Sequence, residues 1–426
     1  MLRFLTAGES HGPALTAILE GMPAGLPLTP EDLAHELARR QLSYGAGGRM
    51  KIEQDTARIL GGVMAGHTTG APIALLIENR DYAKWRDRDI PPMTTPRPGH
   101  ADLTGAIKYG YRDLRLALER ASARETAARV AVGAICKALL RQFNIQVGSY
   151  VTAIGGVHAD PARLAALSYP ERFALAEQND LRCPDAEAAE AMRRRVWETM
   201  QARDTVGGVF EVVAIGLPPG LGSHVHWDRR LSGRLMGAVG SIHAIKGVEI
   251  GPAFENADRW GTEVHDEIFL DEAEEMPEQG ETRERKEGGE GGGERSAGEP
   301  GEGRSGGRLV RRTNRAGGLE GGITTGEPLV LRVAMKPIST TLNPLRSVNL
   351  AAGRPETTTY ERSDFNAVPR AGVVAEAMVA FVLADALLEK LGGDSLDEMR
   401  PRFAALRQAR LEDLPMDNVP WRFGFE

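Results

Sequence analysis

The sequence predicts an α+β protein built from two related halves, and three observations support this fold class. First, "GGVMAGHTTGAP" at 61–72 matches "GGLEGGITTGEP" at 317–328 at seven of twelve positions, with a constant offset of 256. Second, each copy leads into an apolar run typical of a strand. Third, a polar loop and a long apolar-periodic helix follow each run, at about 114–143 and 369–391. Two related halves that face each other would explain this pattern, although two similar turns can also arise by coincidence.

The other elements mix helices and strands without strict alternation. Thr29, Pro30 and Asp32 form a helix-start signal, because Thr caps the first turn, Pro fits the first helical position and Asp reaches back to the cap. We therefore predict a helix over 30–41 and another over about 228–242. Strands are predicted at 2–6, 13–20, 51–60, 147–155, 207–216 and 248–252.

Residues 271–307 form a segment rich in Gly and Glu, with 12 acidic and five basic residues and almost no apolar side chains. Such a segment buries too little apolar surface to offset the entropy of ordering, so we predict a disordered insertion. Patterned sequence resumes immediately after it, which favours an interruption of one domain over a linker between two. The predicted organisation is one domain over 1–392, interrupted by this insertion, and a C-terminal tail over 393–426.

The composition of the chain argues against several classes of partner and location. The net charge of −7 is carried by the insertion alone, so the rest of the chain is neutral and gives no indication of a nucleic-acid partner. The chain starts without an apolar signal core, and its longest apolar stretch is interrupted by Glu376 and Asp385, so neither export nor a membrane partner is indicated. Cys136 and Cys183 lack the spacing of a disulfide framework, which fits a reducing cytoplasm.

The segment "TAGESHGPAL" at 6–15 places Ser10 and His11 between two glycines. Its Gly-x-Ser-x-Gly spacing matches the nucleophile elbow of a serine hydrolase, but that elbow needs a helix after the serine, and the residues after Pro13 resemble a strand. The alternative is general acid chemistry beside a phosphate, in which His11 donates a proton and Ser10 hydrogen-bonds an oxygen. A lone histidine in such a turn is more often structural. A catalytic role for His11 therefore depends on whether other polar clusters of the chain supply matching chemistry.

Three further clusters supply chemistry that suits a phosphorylated substrate. "RPGHADLTG" at 97–105 contains His100, and "YERSDFNAVPRAG" at 360–372 contains Arg362 and Asp364. "KPISTT" at 336–341 offers one cation and three hydroxyls after a strand. This last segment is phosphate-binding chemistry, although it is less specific than a Walker loop.

Two arginine-bearing segments accompany these clusters, and each also has a plainer interpretation. Helical spacing places Arg120 and Arg124 on one face, which a solvated helix would also show. Arg40 and Arg49 surround a glycine-rich loop that could simply lie at the surface. A metal site is not predicted, because His224 and His226 have no third ligand at a usual spacing.

Eight segments together resemble the chorismate synthase family, in that family's order along the chain. They are "AGESHG" at 7–12, "RRQLSYGAGGRM" at 39–50, "RPGHADLTG" at 97–105, "RASARETAARV" at 120–130, "IKGVEIG" at 245–251, "AGGLEGGITTGEP" at 316–328, "KPISTT" at 336–341 and "RSD" at 362–364. The resemblance implies a lyase of the shikimate pathway that forms chorismate by 1,4-elimination of phosphate and a ring hydrogen from 5-enolpyruvylshikimate 3-phosphate. It also implies a requirement for reduced FMN without net oxidation.

The resemblance further implies roles for individual residues. His11 would protonate the departing phosphate, His100 would keep the reduced flavin in its required protonation state, and Asp364 would be the base that relays the ring proton by way of flavin N5. Contacts to the substrate or to NADPH would come from Ser10, Arg40, Arg49 and Arg124. Contacts to FMN would come from Arg120, Ala121, Ser122, His243, Ala244, Gly321, Lys336, Pro337, Ile338, Ser339, Thr340 and Arg362.

The implied fold is a single large β-α-β sandwich with a pseudo-twofold internal repeat, assembled as a homotetramer. Three features depart from the family pattern: Ala46 replaces an arginine found in many members, His243 replaces Gln or Asn, and the insertion is longer. The first departure favours an external reductant, although reduction of the flavin by NADPH stays open. A non-catalytic flavin- or phosphate-binding paralogue is the rival interpretation, and the presence of both imidazoles and of Asp364 argues against it.

Overall fold

The structure is a computed structural model that describes residues 1–47, 53–271, 307–359, 364–417 and 419–424. The described residues mix helices and strands, as predicted. They divide into two compact units, Met1–His265 with Asn314–Leu406 and Asp266–Thr313 with Arg407–Glu426. The predicted insertion lies outside the described residues except for its first and last positions.

The strands of the first unit form two antiparallel sheets and several short hairpins. They are β1 (Arg3–Ala7), β2 (Ala14–Glu20), β3 (Ala57–Gly61), β4 (Val63–Met64), β5 (His67–Thr68), β6 (Ile73–Glu78), β7 (Gln146–Ile154), β8 (Val157–His158), β9 (Gly208–Ile215), β10 (Ile245–Ile250), β13 (Leu319–Glu320), β14 (Ile323–Thr324), β15 (Leu329–Met335), β16 (Arg346–Asn349) and β17 (Arg354–Thr357). One sheet has the order β1-β2-β6-β3, and the other has the order β10-β15-β9-β7-β8. In the second unit, β11 (Ile268–Asp271) pairs with β12 (Arg308–Arg311).

Most strand predictions agree with the structure within one or two residues. Two do not. Strand β3 begins at Ala57 rather than at 51, because Glu53 and Asp55 use their side chains to bind the Arg80 amide and a pair of arginines. Strand β10 starts three residues earlier than predicted, at Ile245.

The described residues form twelve α-helices. They are α1 (Pro30–Gln41), α2 (Asp102–Tyr109), α3 (Arg115–Arg120), α4 (Thr126–Arg141), α5 (Pro161–Ala165), α6 (Tyr169–Glu177), α7 (Ala186–Gln201), α8 (Leu231–Gly240), α9 (Ala253–Ala257), α10 (Gly261–Val264), α11 (Val368–Leu391) and α12 (Leu396–Ala404). Helix α4 packs on β2 and β6, α11 packs on β7 and β9, and the two helices pack on each other. They cross closely at Gly133, where a Cβ would come within 2.2 Å of the Cβ of Ala377.

Helix α11 is largely apolar, with charged residues at only a few positions such as Arg370, Glu376 and Asp385. Length and composition alone would allow it to cross a membrane, but 83% of its most apolar window is buried inside the protein. It is therefore a helix of the hydrophobic core, which explains why its sequence lacks a polar face.

The predicted single helix over 114–143 is wrong, because the chain breaks into α3, a 3-10 turn at Ala123–Glu125, and α4. Ser122 causes the break: its backbone is extended, and its hydroxyl accepts a hydrogen bond from the Arg124 amide at 3.3 Å. Arg120 and Arg124 therefore do not share one helical face. The predicted helices at 30–41 and 369–391 are confirmed as α1 and α11, and the one at 228–242 is the shorter α8.

The two copies of the internal repeat form matching local structures. The first contains the hairpin β4–β5 and leads into β6, and the second contains the hairpin β13–β14 and leads into β15. Thr68 donates a hydrogen bond to the Pro23 carbonyl at 2.6 Å, and Thr324 donates one to the Pro218 carbonyl at 2.7 Å. The strand order β1-β2-β6-β3 likewise matches β7-β9-β15-β10.

Candidate active site

The glycine-rich turn between β1 and β2 carries Ser10 and His11. Gly8 has a φ of +109°, and a Cβ there would come within 2.4 Å of the Ala14 carbonyl, so the return of the chain requires glycine. Ser10 is buried, and strand β2 rather than a helix follows it. A nucleophile elbow needs that helix for its oxyanion site, so this turn lacks the geometry of a serine hydrolase.

His11 is held by a carboxylate of α3. Its Nδ1 lies 2.8 Å from Glu119 Oε1, and its backbone amide donates to Glu119 Oε2 at 2.7 Å. The ring also packs on Trp85, with 4.4 Å between centroids. Burial would raise the pKa of Glu119, but the hydrogen bonds and charge of His11 outweigh burial and hold that pKa below its usual range.

A polar network links this turn to two buried arginines. Asn79 Nδ2 donates to the carbonyls of Glu9 at 3.1 Å and Gly12 at 2.8 Å, and Asn79 Oδ1 accepts from Arg124 Nε at 2.8 Å. Arg124 in turn pairs with Asp55, whose second oxygen lies 3.0 Å from Nη1 of Arg40. The turn that carries His11 and the Arg40 guanidinium therefore belong to one hydrogen-bonded framework.

Arg40 is buried beside other cations. Burial is the largest cause of its lowered pKa of about 10, and the charges of Arg124 and Arg370 lower it further against the opposing effect of Asp55. Its remaining nitrogens donate to the Thr126 hydroxyl at 3.1 Å and to a backbone carbonyl. Buried guanidinia that lie close enough to lower one another's pKa create a local environment that favours an anion.

Asp364 lies at the start of the described segment that precedes α11. Its Oδ1 accepts a hydrogen bond from the Gly47 amide at 2.7 Å, and its Oδ2 pairs with Arg370. The charge of Asp364 also acts on Arg40. Hence the carboxylate and the arginine framework lie within electrostatic reach of each other.

His100 is held by a second carboxylate. Its Nδ1 lies 2.6 Å from Asp102 Oδ1, and Asp102 also receives two hydrogen bonds from the Arg97 side chain at 2.8 and 3.0 Å. Burial would raise the pKa of Asp102, but these hydrogen bonds and charges hold it far below its usual range. Arg97 extends the contact to the Thr340 hydroxyl at 3.1 Å.

The loop after β15 contains the predicted phosphate-binding segment, Lys336, Pro337, Ile338, Ser339 and Thr340. Lys336 Nζ donates to the Gly99 carbonyl at 2.8 Å, and the Lys336 amide donates to the Ala244 carbonyl at 3.0 Å. Burial, followed by the charge of Lys246, lowers the pKa of Lys336. The structure thus brings this loop together with the His100 turn and with the Ala244 backbone.

His243 presents an incompletely satisfied imidazole to this region. Its Nδ1 is buried and has no hydrogen-bond partner among the described residues. Burial is the largest cause of its lowered pKa of about 4, and the charges of Arg129, His100 and Arg40 act in the same direction. The ring is therefore neutral near pH 7, with a buried nitrogen available to a bound group.

Arg120, Ala121 and Ser122 lie where α3 ends. Arg120 donates to the Thr6 carbonyl at 2.9 Å and to the Gly8 carbonyl at 3.2 Å, which ties this segment to the β1–β2 turn. The same segment supplies Glu119 to His11 and leads into Arg124. Because the helix breaks at Ser122, Glu119 contacts His11, whereas Arg124 belongs to the framework that contains Arg40.

One predicted site residue, Gly321, lies away from this region, and two others cannot be placed. Gly321 lies in the β13–β14 hairpin, before the first residue of β15, whereas Lys336 follows its last residue. A strand of this length spans roughly 20 Å, so the two lie at opposite ends. Arg49 and Arg362 fall outside the described residues.

Three functional candidates were missed by sequence reasoning because their partners are distant in sequence: Asp55, Asn79 and Glu119. Arg370 was missed as well, although its partner Asp364 is close in sequence. Only the polar character of the flanking motifs pointed to them. Groups of three side chains suited to a metal ion do not occur among the residues that the structure describes.

Comparison with known proteins gives one consistent result. The family model described as chorismate synthase matches residues 2–388. The chain is 52% identical to the chorismate synthase of Aquifex aeolicus over 421 residues, covering 94% of this chain and 96% of the relative. It is 51% identical to that of Geobacter sulfurreducens over 412 residues, covering 95% and 98%. A solved structure titled "Crystal Structure of Chorismate Synthase" matches with a TM-score of 0.71 and 45% identity, covering 95% and 96%.

Fold, site and relatives together define an enzyme of the lyase class. These identities extend over nearly the whole of each chain, so they support the lyase and neither a serine hydrolase nor a non-catalytic binding module. The chain belongs to the chorismate synthase family.

Proposed function

We propose that this protein eliminates phosphate and a ring hydrogen from 5-enolpyruvylshikimate 3-phosphate to form chorismate. The observation that carries the proposal is the hydrogen-bonded framework that joins the His11 turn to Arg40 through Asn79, Arg124 and Asp55. A substrate with two carboxylates and a phosphate needs several buried cations, and this framework holds them beside an imidazole. The family assignment supports the same reaction.

Different polar residues serve different steps of the elimination. His11 donates a proton to the departing phosphate, which makes it a better leaving group, and Ser10 hydrogen-bonds an oxygen. Asp364 accepts the proton derived from the ring hydrogen. Arg40, Arg49 and Arg124 bind the anionic groups of the substrate.

Reduced FMN is the cofactor that we propose for this site. The fit is supported by the orphan Nδ1 of His243 and by the Lys336–Thr340 loop, which gathers a cation and hydroxyls beside His100. The remaining holding residues are Arg120, Ala121, Ser122, Ala244 and Arg362, whereas Gly321 lies at the other end of β15 from Lys336. When bound, the reduced flavin supplies electron density transiently to the substrate, with no net redox change. His100 lies at the flavin edge and holds the proton that keeps the reduced flavin in its required protonation state.

The source of reducing equivalents is also part of the proposal. Ala46 removes a guanidinium that many family members place in this loop. We infer that the chain depends on an external reductant, and that NADPH does not reduce the flavin efficiently. A test with NADPH as the sole reductant decides between the two sources.

We further propose that residues 1–392 form one catalytic domain, a β-α-β sandwich with pseudo-twofold symmetry. The 271–307 insertion interrupts this domain, and a 393–426 tail follows it. The matching Thr68 and Thr324 bonds and the equal strand orders support a duplication.

A cytoplasmic homotetramer is proposed for the assembly. On the four-stranded sheet, Leu5, Ile18 and Leu60 are exposed, and such an apolar face suits contact between subunits. Light scattering of the purified protein tests this point.

The decisive experiment is anaerobic incubation of the pure protein with photoreduced FMN and substrate, with chorismate followed by absorbance. We expect chorismate with light-reduced flavin and little with NADPH alone. His11→Ala, His100→Ala and Asp364→Ala should lose activity while still binding FMN. Wild-type rates in all three variants would refute the roles, and labelling of Ser10 by a fluorophosphonate would instead support a hydrolase.

A further inference from the structure

Ser10 and His11 are the two central residues of one tight turn. The Gly12 amide closes this turn by donating to the Glu9 carbonyl at 3.2 Å. The Nδ2 group of Asn79 donates to both ends of the turn, to the Glu9 carbonyl at 3.1 Å and to the Gly12 carbonyl at 2.8 Å. A single side-chain amide therefore binds the backbone on either side of the two central residues.

The oxygen of the same amide holds an arginine. Asn79 Oδ1 accepts a hydrogen bond from Arg124 Nε at 2.8 Å, and Nη1 of Arg124 pairs with Asp55. The Asn79 backbone is fixed as well, because its amide donates to the Pro13 carbonyl at 3.0 Å and its carbonyl accepts from the Tyr82 amide at 3.1 Å. Asn79 is only 4% exposed, and each of its hydrogen-bonding atoms has a partner.

These contacts require a side chain that donates on one side and accepts on the other. Backbone carbonyls can only accept hydrogen bonds, and a guanidinium can only donate them. The amide of Asn79 meets both requirements at once, whereas Gln would place its amide one methylene further from the backbone. Asp would turn an oxygen toward two carbonyls, and Leu would leave buried polar groups unpaired on both sides. The identity of residue 79 therefore determines how the turn and the guanidinium are spaced.

We propose that Asn79 is a positioning residue that sets the distance between the turn of Ser10 and His11 and the buried guanidinium of Arg124. The catalytic meaning of this inference rests on the proposed function, in which the turn acts on the departing phosphate and Arg124 binds an anionic group of the substrate. The hydrogen bonds that hold the turn do not depend on that function. Both groups must reach one substrate molecule, and an error of about 1 Å in such a placement can lower a rate about 100-fold.

Hydrogen exchange of the full-length protein, followed by mass spectrometry, tests whether Asn79 holds the turn. Asn79→Leu keeps the branched shape of the side chain but removes both donated bonds, so the amides of residues 8–14 should exchange roughly 10-fold faster. Asn79→Asp keeps the acceptor for Arg124 and loses the donor, so it should give a similar increase. Equal exchange of residues 8–14 in the wild type and in both variants would overturn the proposal.

Asn256 provides the matched control. Its Nδ2 donates to the Arg315 carbonyl at 3.0 Å, and its Oδ1 accepts from Arg315 Nη1 at 3.0 Å, so it also joins a carbonyl to a guanidinium. Asn256→Leu should leave both the exchange of residues 8–14 and the kcat unchanged.

A double-mutant cycle with photoreduced FMN as the cofactor tests the catalytic part. Asn79→Leu alone should lower kcat about 100-fold, with the same amount of FMN bound per protein as in the wild type. In a His11→Ala background the same substitution should lower the residual kcat by less than about 10-fold, because the imidazole that it positions is already gone.

The possible outcomes separate positioning from support of the fold. A loss that stays near 100-fold in the His11→Ala background would mean that Asn79 acts independently of His11, and it would overturn the positioning role. Wild-type kcat in Asn79→Leu would also overturn it. Inactivity of the wild type would refute the proposed function, and the exchange of residues 8–14 would then decide whether Asn79 holds the turn.

Discussion

Arg39 and Arg40 are neighbours on α1 and both are buried, yet they differ in how many carboxylates contact them. The network of Arg39 lies where α1, α4, α11 and β7 meet. Among the described residues it joins three cations to three carboxylates: Arg39, Lys137, Arg182, Glu36, Glu177 and Glu376. Burial would lower the pKa of Arg39, but these carboxylates, Glu376 first, raise it above its ordinary value.

Arg40 has fewer carboxylate partners. In the described part of the chain its one ion pair is with Asp55, which Arg124 also contacts, while Arg124 lies 3.7 Å from Glu53 and Arg370 pairs with Asp364. Here burial and neighbouring guanidinia together lower the pKa of Arg40 to about 10. A buried cation with few anionic partners is costly, so it persists where an anionic ligand adds a partner. The number of carboxylates that contact each arginine therefore separates the one that stabilises the fold from the one that we propose binds the substrate.

The largest effect on stability is expected from breaking the ion-pair network of Arg39. Glu376 is fully buried and contacts Arg39, Lys137, Arg182 and the Ser149 hydroxyl. Glu376→Gln keeps the shape but leaves an excess cation, so the free energy of unfolding should fall by about 3 to 5 kcal/mol. Urea unfolding measures this. The kcat of the remaining folded protein should be unchanged; a loss below about 1 kcal/mol would contradict the structural role.

Arg40→Met is expected to give the opposite pattern. Removing one of several crowded guanidinia leaves Asp55 paired with Arg124, so stability should change by less than about 1 kcal/mol. Loss of charged hydrogen bonds to the substrate should lower kcat/KM about 10- to 100-fold. Steady-state kinetics and urea unfolding of the same preparation separate the two effects. A variant that unfolds while retaining kcat/KM would reverse our assignment of the two networks.

Local sequence signals predicted much of the fold. The capping box at Thr29 and Asp32 correctly marks the start of α1, and the apolar runs that follow the two Gly-rich segments correctly indicate the strands β6 and β15. These features depend on residues close together in sequence. The break at Ser122 was missed, because apolar periodicity continues through it and only the hydroxyl bond to the Arg124 amide reveals the cap.

The site was only partly predictable for a related reason. His11, Arg40 and His100 stand in motifs with suggestive chemistry, so they could be singled out. The partners of His11 and Arg40 could not, since Glu119 lies 108 residues from His11 and Asp55 pairs with two arginines separated by more than 80 residues. How many carboxylates contact a buried arginine is a property of the fold, and adjacent arginines on α1 have no sequence feature that distinguishes them.

A smaller effect is expected from the pH dependence of stability at His243, on which the charge of Arg40 acts. Above pH 6.5 the ring is neutral in both the folded and the unfolded chain. Between pH 6.5 and about 4 the unfolded chain binds a proton that the folded chain excludes, so the free energy of unfolding falls as pH falls. His243→Gln should remove roughly 1 to 2 kcal/mol of this loss between pH 7 and 5. Equal pH dependence in both proteins would argue against a buried neutral ring.

The smallest effect is expected where an ion pair is exposed. Arg3 and Glu20 pair at 2.7 Å across β1 and β2, but their side chains are 69% and 52% exposed. Glu20→Gln makes the same carboxylate-to-amide change as Glu376→Gln, so the two substitutions differ mainly in burial. Water screens the exposed pair, and the free energy of unfolding should change by less than about 1 kcal/mol and by less still in 1 M salt. A loss as large as that of Glu376→Gln would mean that distance, rather than burial and balance, determines the contribution of these ion pairs.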